Sequence, residues 1–592
     1  MNQHIVIVGT GFAGIGMGIR LKQAGIDDFT ILEQASGVGG TWRDNHYPGA
    51  ACDVESHLYS FSFEKNPGWS RTFACQKEIL AYLERCADKY GIRPHIRFDT
   101  AVTGASFDEA SGLWSLGTSR GETLQARVVV SGTGGLSRPS RPDLPGLSTF
   151  AGKTFHSARW DDAYPLEGKT VGVIGTGASA VQIVPAIAPR VGKLHVFQRT
   201  PPWILPKADR AFSEREKERF RRHPWRMSLE RSALYWRREL TGLGFVVEPR
   251  LFRLLEPLVL KYLERQVRDP VLRKKLTPDY RLGCKRILPT NEYYPALQRP
   301  NVELVTEGIE AIQPAGIRTR DGEERPLDLL ILATGFEAAE AVAPFAITGR
   351  GGRDLNDAWR DGAEAYLGAT VAGFPNLFLI VGPNTGLGHN SIIFMIECQV
   401  RYALDAILAM RREGWASVDV RAGSCERDLR ERDRIYFPQE DLERFQVGES
   451  QLLAERAEAH ATRLSAEARN TTVGAPDPDP GELFDSVYHD ITPELAAHLP
   501  RRDGADPGAR PHPDGVPPFP PRPRRLQRGH LPARGRGIHP RPDRLPGSGA
   551  RRGRDRALRA HPHARQSHRG AVYLYRRFPA CAGSDRALLD HA

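Results

Sequence analysis

The 592-residue sequence predicts an α/β protein built on two doubly wound parallel-sheet units. Three observations carry this reading. An apolar run near the N-terminus enters a three-glycine turn that opens a helical pattern. The same strand, small-residue turn and helix recur from Lys169 onward. Between them lies a polar, aromatic-bearing stretch, residues 150–161, placed like a hinge.

A chain of this length exceeds a single core and implies more than one domain. Its net charge of +11 is unevenly distributed. Residues 501–592 hold 21 Arg and 7 Asp with no Lys or Glu, a charge of +14 that leaves residues 1–500 at −3. The basic character therefore belongs to the tail, and nothing in the body asks for nucleic acid or an anionic membrane. The 7 cysteines are scattered without C-x-x-C spacing, which suits a reducing compartment and speaks against a disulfide framework. Met1 leads directly into an apolar strand with no signal-like segment, and no uncharged run is long enough to span a bilayer. A cytoplasmic enzyme is the expectation.

In the first unit, the strand His4–Val8 feeds Gly9-Thr-Gly11-Phe-Ala-Gly14, and a helix is expected through Leu21. The glycines permit a tight turn, close approach of backbone to a pyrophosphate and close helix–strand packing, while the helix N-terminus stabilises phosphate charge. A second strand, Phe29–Glu33, ends in an acid 19 residues after Gly14, where a ribose hydroxyl would be bound. Loops follow at Gly39-Gly40-Thr41-Trp42, His46-Tyr47-Pro48-Gly49 and Cys52-Asp53-Val54-Glu55-Ser56. On composition alone Asp53 is a turn or cap aspartate.

In the second unit, the strand Lys169–Ile174 precedes Gly175-Thr176-Gly177-Ala-Ser-Ala180, a helix through Ile187 and the strand Leu194–Arg199. The position equivalent to Glu33 is Arg199. An arginine cannot accept from a 2′-hydroxyl but can clamp a 2′-phosphate, which selects NADP over NAD. Two sites of opposite preference imply two nucleotides: a tightly held FAD and a diffusible NADPH.

Residues 208–276 read as an amphipathic helical insertion with a solvated, charged face. Gly283-Cys284-Lys285-Arg286 follows, and an adjacent Lys–Arg is ordinarily solvated. Leu327–Phe336, an apolar strand with a small-residue turn, reads as the return to the first unit. Phe374–Val381 then enters Gly382-Pro-Asn384-Thr-Gly-Leu-Gly-His-Asn390-Ser391, a glycine-rich loop before a helix starting near Ile392 that would aim N–H groups at a flavin edge.

These residues assemble into a pattern that resembles the Baeyer–Villiger monooxygenases, class B flavoprotein monooxygenases dependent on FAD and NADPH. Phe150, Gly152, His156, Trp160 and Asp161 match their signature F-x-G-x-x-x-H-x-x-x-W-[PD], and the likeness runs from Met1 to about Trp415. The resemblance implies that NADPH reduces the flavin, that O2 adds to it, and that a peroxyflavin attacks a ketone to give an ester or lactone. It makes Arg286 the catalytic arginine stabilising that anion and Asp53 the acid orienting it. It implies FAD contacts at Gly9, Gly11, Gly14, Glu33, Gly40, Thr41, Trp42, Asp53, Tyr59, Val102 and Asn384. NADP contacts would be Gly175, Thr176, Gly177, Ala180, Arg199, Thr200 and Lys285. His156 and Trp160 would couple nucleotide binding to domain rotation. The substrate class is a small-molecule ketone or sulfide, with O2 and no metal.

Two other readings compete. A flavin monooxygenase acting on sulfur or nitrogen shares both fingerprints but usually differs at the Trp160 position and lacks Arg286. The second is a pyridine-nucleotide–disulfide reductase, which needs a C-x-x-x-x-C pair where Cys52 has no partner at 57, or else an FAD- and NADPH-binding protein left inactive by an aberrant carboxyl end.

The expected organisation is an FAD-binding domain over 1–149, the signature linker 150–161, an NADP-binding domain over 162–325 and an FAD-domain return over 326–420. Residues 421–499 are expected to form charged helices and 500–592 a disordered basic tail. All 9 tryptophans lie at or before Trp415, whereas relatives usually carry a Trp-rich segment beyond it. An Arg/Pro/Gly-rich composition without Lys or Glu suits either a GC-rich gene read out of frame past about Arg421 or a basic binding tail. The intact mass of protein from its native source separates the two.

Overall fold

The computed structural model describes residues 4–246, 250–337, 343–360 and 362–421. The expectations for residues 422–592 lie outside the described residues.

The chain begins with β1 (Ile5–Val8), α1 (Phe12–Gln23), β2 (Phe29–Leu32), α2 (Thr41–Asp44) and α3 (Gln76–Lys89). Then come β3 (Ile96–Arg97), β4 (Val102–Asp108), β5 (Leu113–Thr118), β6 (Thr123–Ala126) and β7 (Val128–Ser131). The second half opens with β8 (Lys153–His156), β9 (Thr170–Ile174), α4 (Ala180–Ile187), β10 (Lys193–Phe197) and β11 (Ile204–Leu205). An insertion of α5 (Glu214–Arg222), α6 (Pro224–Val246), α7 (Arg250–Gln266) and α8 (Pro270–Lys275) precedes β12 (Leu288–Pro289) and α9 (Tyr293–Leu297). The remainder is β13 (Val302–Val305), β14 (Ile309–Gln313), β15 (Gly316–Thr319), β16 (Glu324–Pro326), β17 (Leu329–Leu332), β18 (Ala346–Thr348), β19 (Leu377–Leu379) and α10 (Ile392–Glu413).

Two five-stranded parallel sheets organise these elements, one in the order β19-β7-β1-β2-β3 and one in the order β13-β10-β9-β17-β8. Every residue of β1, β7 and β17 is buried, as strands covered on both faces require. A four-stranded sheet, β18-β4-β5-β6, and a three-stranded antiparallel sheet, β14-β15-β16, accompany them. The first core joins Ile5, Ile7, Ile15, Ile31 and Val130 to Ile393, Val400 and Ile407 of α10, so the C-terminal helix closes the first unit.

Two expectations change. The strand Leu329–Leu332 does not return to the first sheet; it sits inside the second, between β9 and β8. A short run buried on both faces carries no mark of which parallel sheet it joins. Residues 150–161 are also more than a linker, because Lys153–His156 forms the edge strand β8, paired in parallel with β17. The chain rejoins the first unit after Phe336, through β19 on β7. Among the described residues Cys52, Cys75, Cys86 and Cys398 are free thiols. No described helix is long and apolar enough to cross a membrane.

Candidate active site

The first glycine turn has the geometry of a phosphate cradle. Gly9 has φ +97°, and a Cβ there would lie 2.7 Å from the Gly132 carbonyl oxygen. A Cβ on Gly14 would meet the Gly9 oxygen at 1.8 Å, so α1 could not cross β1 this closely with any other residue. Gly11 faces Gly40, whose added Cβ would be 3.1 Å from the Gly11 Cα. Trp42 Nε1 donates to Tyr59 Oη at 3.1 Å, and Phe12 packs edge-on against Tyr59, so these three residues fasten the surrounding loops to one another.

Glu33 follows β2 and is 4% exposed. Its Oε2 accepts from Thr10 N at 2.9 Å and Thr10 Oγ1 at 2.6 Å; its Oε1 accepts from Ala35 N at 2.9 Å and pairs with Arg43 at 3.1 Å. All four lone-pair positions of the carboxylate are thus engaged by the protein. Arg43 is the partner with alternatives, since it also bonds Asp44 and the Gly37 carbonyl. The Glu33 carbonyl accepts from Thr100 N, two residues before Val102 at the start of β4.

In the second turn, Gly175 has φ +114° and approaches Ala333, while Gly177 has open space where a Cβ would be. Thr176 Oγ1 donates to the Thr200 carbonyl at 2.9 Å. Arg199 is exposed beyond β10 and makes no ion pair or side-chain hydrogen bond among the described residues. Lys285 is also exposed, with its ammonium over the Tyr280 ring. Ala180 begins α4.

The two halves meet at Asp53 and Arg286, 233 residues apart in sequence, where Arg286 Nη2 donates to Asp53 Oδ2 at 2.7 Å. Burial pushes the Asp53 carboxyl up, but Arg286, Arg238 and Lys207 more than offset it and hold the group below the usual carboxylate range. Asp53 is therefore a stable anion and Arg286 a paired, oriented cation. Burial pushes the neighbouring Cys52 thiol and Tyr47 phenol up to about 12, so neither contributes charge near neutrality.

The signature residues are structural joints. His156 Nε2 lies 3.0 Å from the Gly335 carbonyl, which only accepts, so Nε2 carries the proton and Nδ1 accepts from Ala158 N at 3.1 Å. Burial, aided by Arg159 and Arg141, pushes the His156 pKa down to about 4, although its bond to Gly335 opposes this. Trp160 packs edge-on against Phe155, and its carbonyl is 3.2 Å from His46 Nε2 on the first unit. Asp161 pairs with Lys153 at 2.7 Å. Phe150 leaves no room for a Cβ at Gly152, whose ideal position is 2.6 Å from the Phe150 ring.

The loop before α10 supplies the last wall. Asn384 has φ +61° and donates through Nδ2 to the Ala363 carbonyl at 3.4 Å. His389 Nδ1 and Ser391 Oγ are buried there without a partner, beside the first turn of α10. Buried polar atoms at a helix N-terminus fit the polar edge of a bound ring. With the glycine cradles, this is what the site requires for two dinucleotides.

Sequence reasoning missed the residues that brace this site. Gln182 of α4 bonds the 47–51 loop, and Arg231, Arg237 and Arg238 of α6 grip residues 53–60. The only signal for the three arginines was the density of arginine in a helix read as solvated.

Comparison with known proteins agrees with this geometry. Residues 6–222 match the pyridine nucleotide-disulphide oxidoreductase family. The chain is 52% identical over 423 residues to a Baeyer-Villiger monooxygenase of Pseudomonas aeruginosa, covering 72% of this chain and 80% of that one. It is 49% identical over 402 residues to a Baeyer-Villiger monooxygenase of Streptomyces coelicolor, covering 68% and 77%. Among solved structures, a closed cyclohexanone monooxygenase superposes with a TM-score of 0.68 at 32% identity, covering 73% of this chain and 89% of its own. A steroid monooxygenase bound to NADP gives 0.67 at 34%, covering 73% and 91%. The chain belongs to the Baeyer–Villiger monooxygenases. It is an FAD- and NADPH-dependent oxidoreductase of that family.

Proposed function

We propose that this monooxygenase inserts one atom of O2 beside the carbonyl of a small-molecule ketone, giving an ester or lactone and water, with Arg286 as its catalytic cation. The observation that carries this assignment is the 2.7 Å pair between Arg286 and Asp53, formed where the two nucleotide-binding halves meet. FAD, when bound and reduced by NADPH, would supply the electrons that activate O2. Arg286 contributes a fixed positive charge, pre-oriented by Asp53, for the negative charge that develops on oxygen. A guanidinium suits this role because it stays charged when water is excluded and presents a planar set of donors.

Gly9, Gly11, Gly14, Gly40, Thr41, Trp42, Tyr59, Val102 and Asn384 would hold FAD. Glu33 would reach the ribose when Arg43 shifts to Asp44. Gly175, Thr176, Gly177, Ala180, Arg199, Thr200 and Lys285 would hold NADP, with Arg199 on the 2′-phosphate. His156, neutral near pH 7, would fix the strand end rather than move protons.

The test is NADPH consumption with cyclic, linear and aryl ketones and aryl sulfides, with products identified by mass spectrometry. Esters or lactones one oxygen heavier than the ketone support the assignment; sulfoxides alone, or NADPH oxidation without an oxygenated product, overturn it.

A further inference from the structure

Two consecutive side chains of α6 reach out of the insertion and into the candidate active site. Arg238 donates from Nε to Glu55 Oε2 at 2.6 Å, from Nη2 to the Asp53 carbonyl at 3.0 Å and from Nη1 to the His389 carbonyl at 3.3 Å. Its planar guanidinium thus spans two loops distant in sequence, the one carrying Asp53 and the one that opens α10. Glu239 completes the link. Its Oε1 accepts from Asn390 Nδ2 at 2.6 Å and lies 3.3 Å from His389 Nε2. Asn390 Oδ1 in turn accepts from Ser391 N at 2.7 Å, at the N-cap of α10.

These contacts are substantially withdrawn from solvent. The Glu55 side chain is 7% exposed and that of His389 1%, so the hydrogen bonds are charge-assisted in a low-dielectric setting. Other contacts of the same helix also dock it. Arg231 separately donates to the carbonyls of His57, Leu58 and Ser60, each at 2.9 Å, and Tyr235 packs against Phe394. The Arg238–Glu239 pair therefore adds placement of the two loops to an attachment that already exists.

We propose that Arg238 and Glu239 are positioning residues for the oxygenation reaction, Arg238 holding Asp53 where it aligns Arg286 and Glu239 holding the His389–Ser391 turn. The inference rests on the roles assigned above to Asp53 and Arg286. Electrostatics agree with the geometry. The charged groups acting on the Asp53 carboxyl are Arg286, Arg238 and Lys207, the last of which donates to the Cys52 carbonyl at 3.1 Å. Cys52, Tyr47 and Tyr59 stand close by and stay protonated, because burial pushes each of them up. Removing Arg238 takes one of three cations from Asp53, so the carboxyl protonates at higher pH.

The experiment uses FAD-loaded enzyme and reads product formed per NADPH oxidised as a function of pH. Arg238→Met is expected to lower that ratio about tenfold, since small misplacements of a catalytic group are costly, and to move its acid limb upward. Arg238→Lys keeps the charge but lacks the planar fork that spans both loops; its acid limb stays in place while the ratio remains low. Glu239→Leu lowers the ratio without moving the limb. In an Asp53→Asn background, Arg238→Met no longer shifts the acid limb. If Arg238→Met and Glu239→Leu only lower thermal stability, leaving ratio and limb unchanged, both residues are structural and the inference falls. If Asp53→Asn alone gives the native ratio, the reading of Asp53 falls, and this inference with it.

Discussion

The side-chain amide of Gln182 pairs with both backbone groups of Ala51: Nε2 donates to the Ala51 carbonyl at 2.9 Å, and Oε1 accepts from Ala51 N at 3.3 Å. Tyr47 Oη donates to the same Oε1 at 3.1 Å. A residue of the second glycine-turn helix thereby copies a strand neighbour for the loop two residues before Asp53. Gly49 lies beneath it, with φ +86° and room for no Cβ, which would meet the Gln182 carbonyl at 2.6 Å. At this joint a side-chain amide of one nucleotide-binding half holds the backbone of the other.

Gln182→Leu leaves the Ala51 N–H and C=O without partners. Chemical denaturation of the FAD-bound protein is expected to show a loss of about 1–3 kcal/mol, the cost of buried unsatisfied polar groups. A loss within a few tenths of a kcal/mol would mean that water replaces the amide freely.

Arg199→Ala is expected to weaken NADPH about ten- to a hundredfold, the range for losing a charge-assisted contact to phosphate, and to leave NADH nearly unaffected. Steady-state KM values for the two nucleotides measure this. Equal losses would place the 2′-phosphate elsewhere.

His156 and His57 share a pH signature. Burial pushes each down to about 4 from the ordinary 6.5, so the unfolded chain binds protons that the folded chain does not between those values. Stability therefore rises with pH across roughly 4 to 6.5, and this contribution is progressively lost as pH falls through the window. His57 lies between Phe212 and Phe220 with neither ring nitrogen hydrogen-bonded. Replacing it in His57→Leu is expected to flatten the stability–pH curve over that window, read by denaturation at several pH values. An unchanged slope would show that His57 does not titrate there.

The local geometry of both glycine turns was legible in the sequence. A strand, three small residues and a helix N-terminus follow from short-range sterics, and Glu33 against Arg199 needed only counting. Asp53 and Arg286 were visible as residue types, but their pairing depends on two halves folding together. Only the family pattern singled them out. The membership of Leu329–Leu332 in the second sheet was not legible, because a strand buried on both faces looks alike in either. Nor were the contacts of Arg238, whose helix reads as a solvated charged face until its partners Asp53, Glu55 and His389 are known.

The role proposed for Arg286 is to supply the charge for oxygen insertion. The direct measurement is product formed per NADPH oxidised by FAD-loaded Arg286→Ala against a ketone that the native enzyme converts. Loss of an oriented donor for developing negative charge costs about a hundred- to a thousandfold, so ester formation should all but vanish while FAD stays bound and NADPH oxidation continues. Ester formation at the native ratio would rule out that role for Arg286.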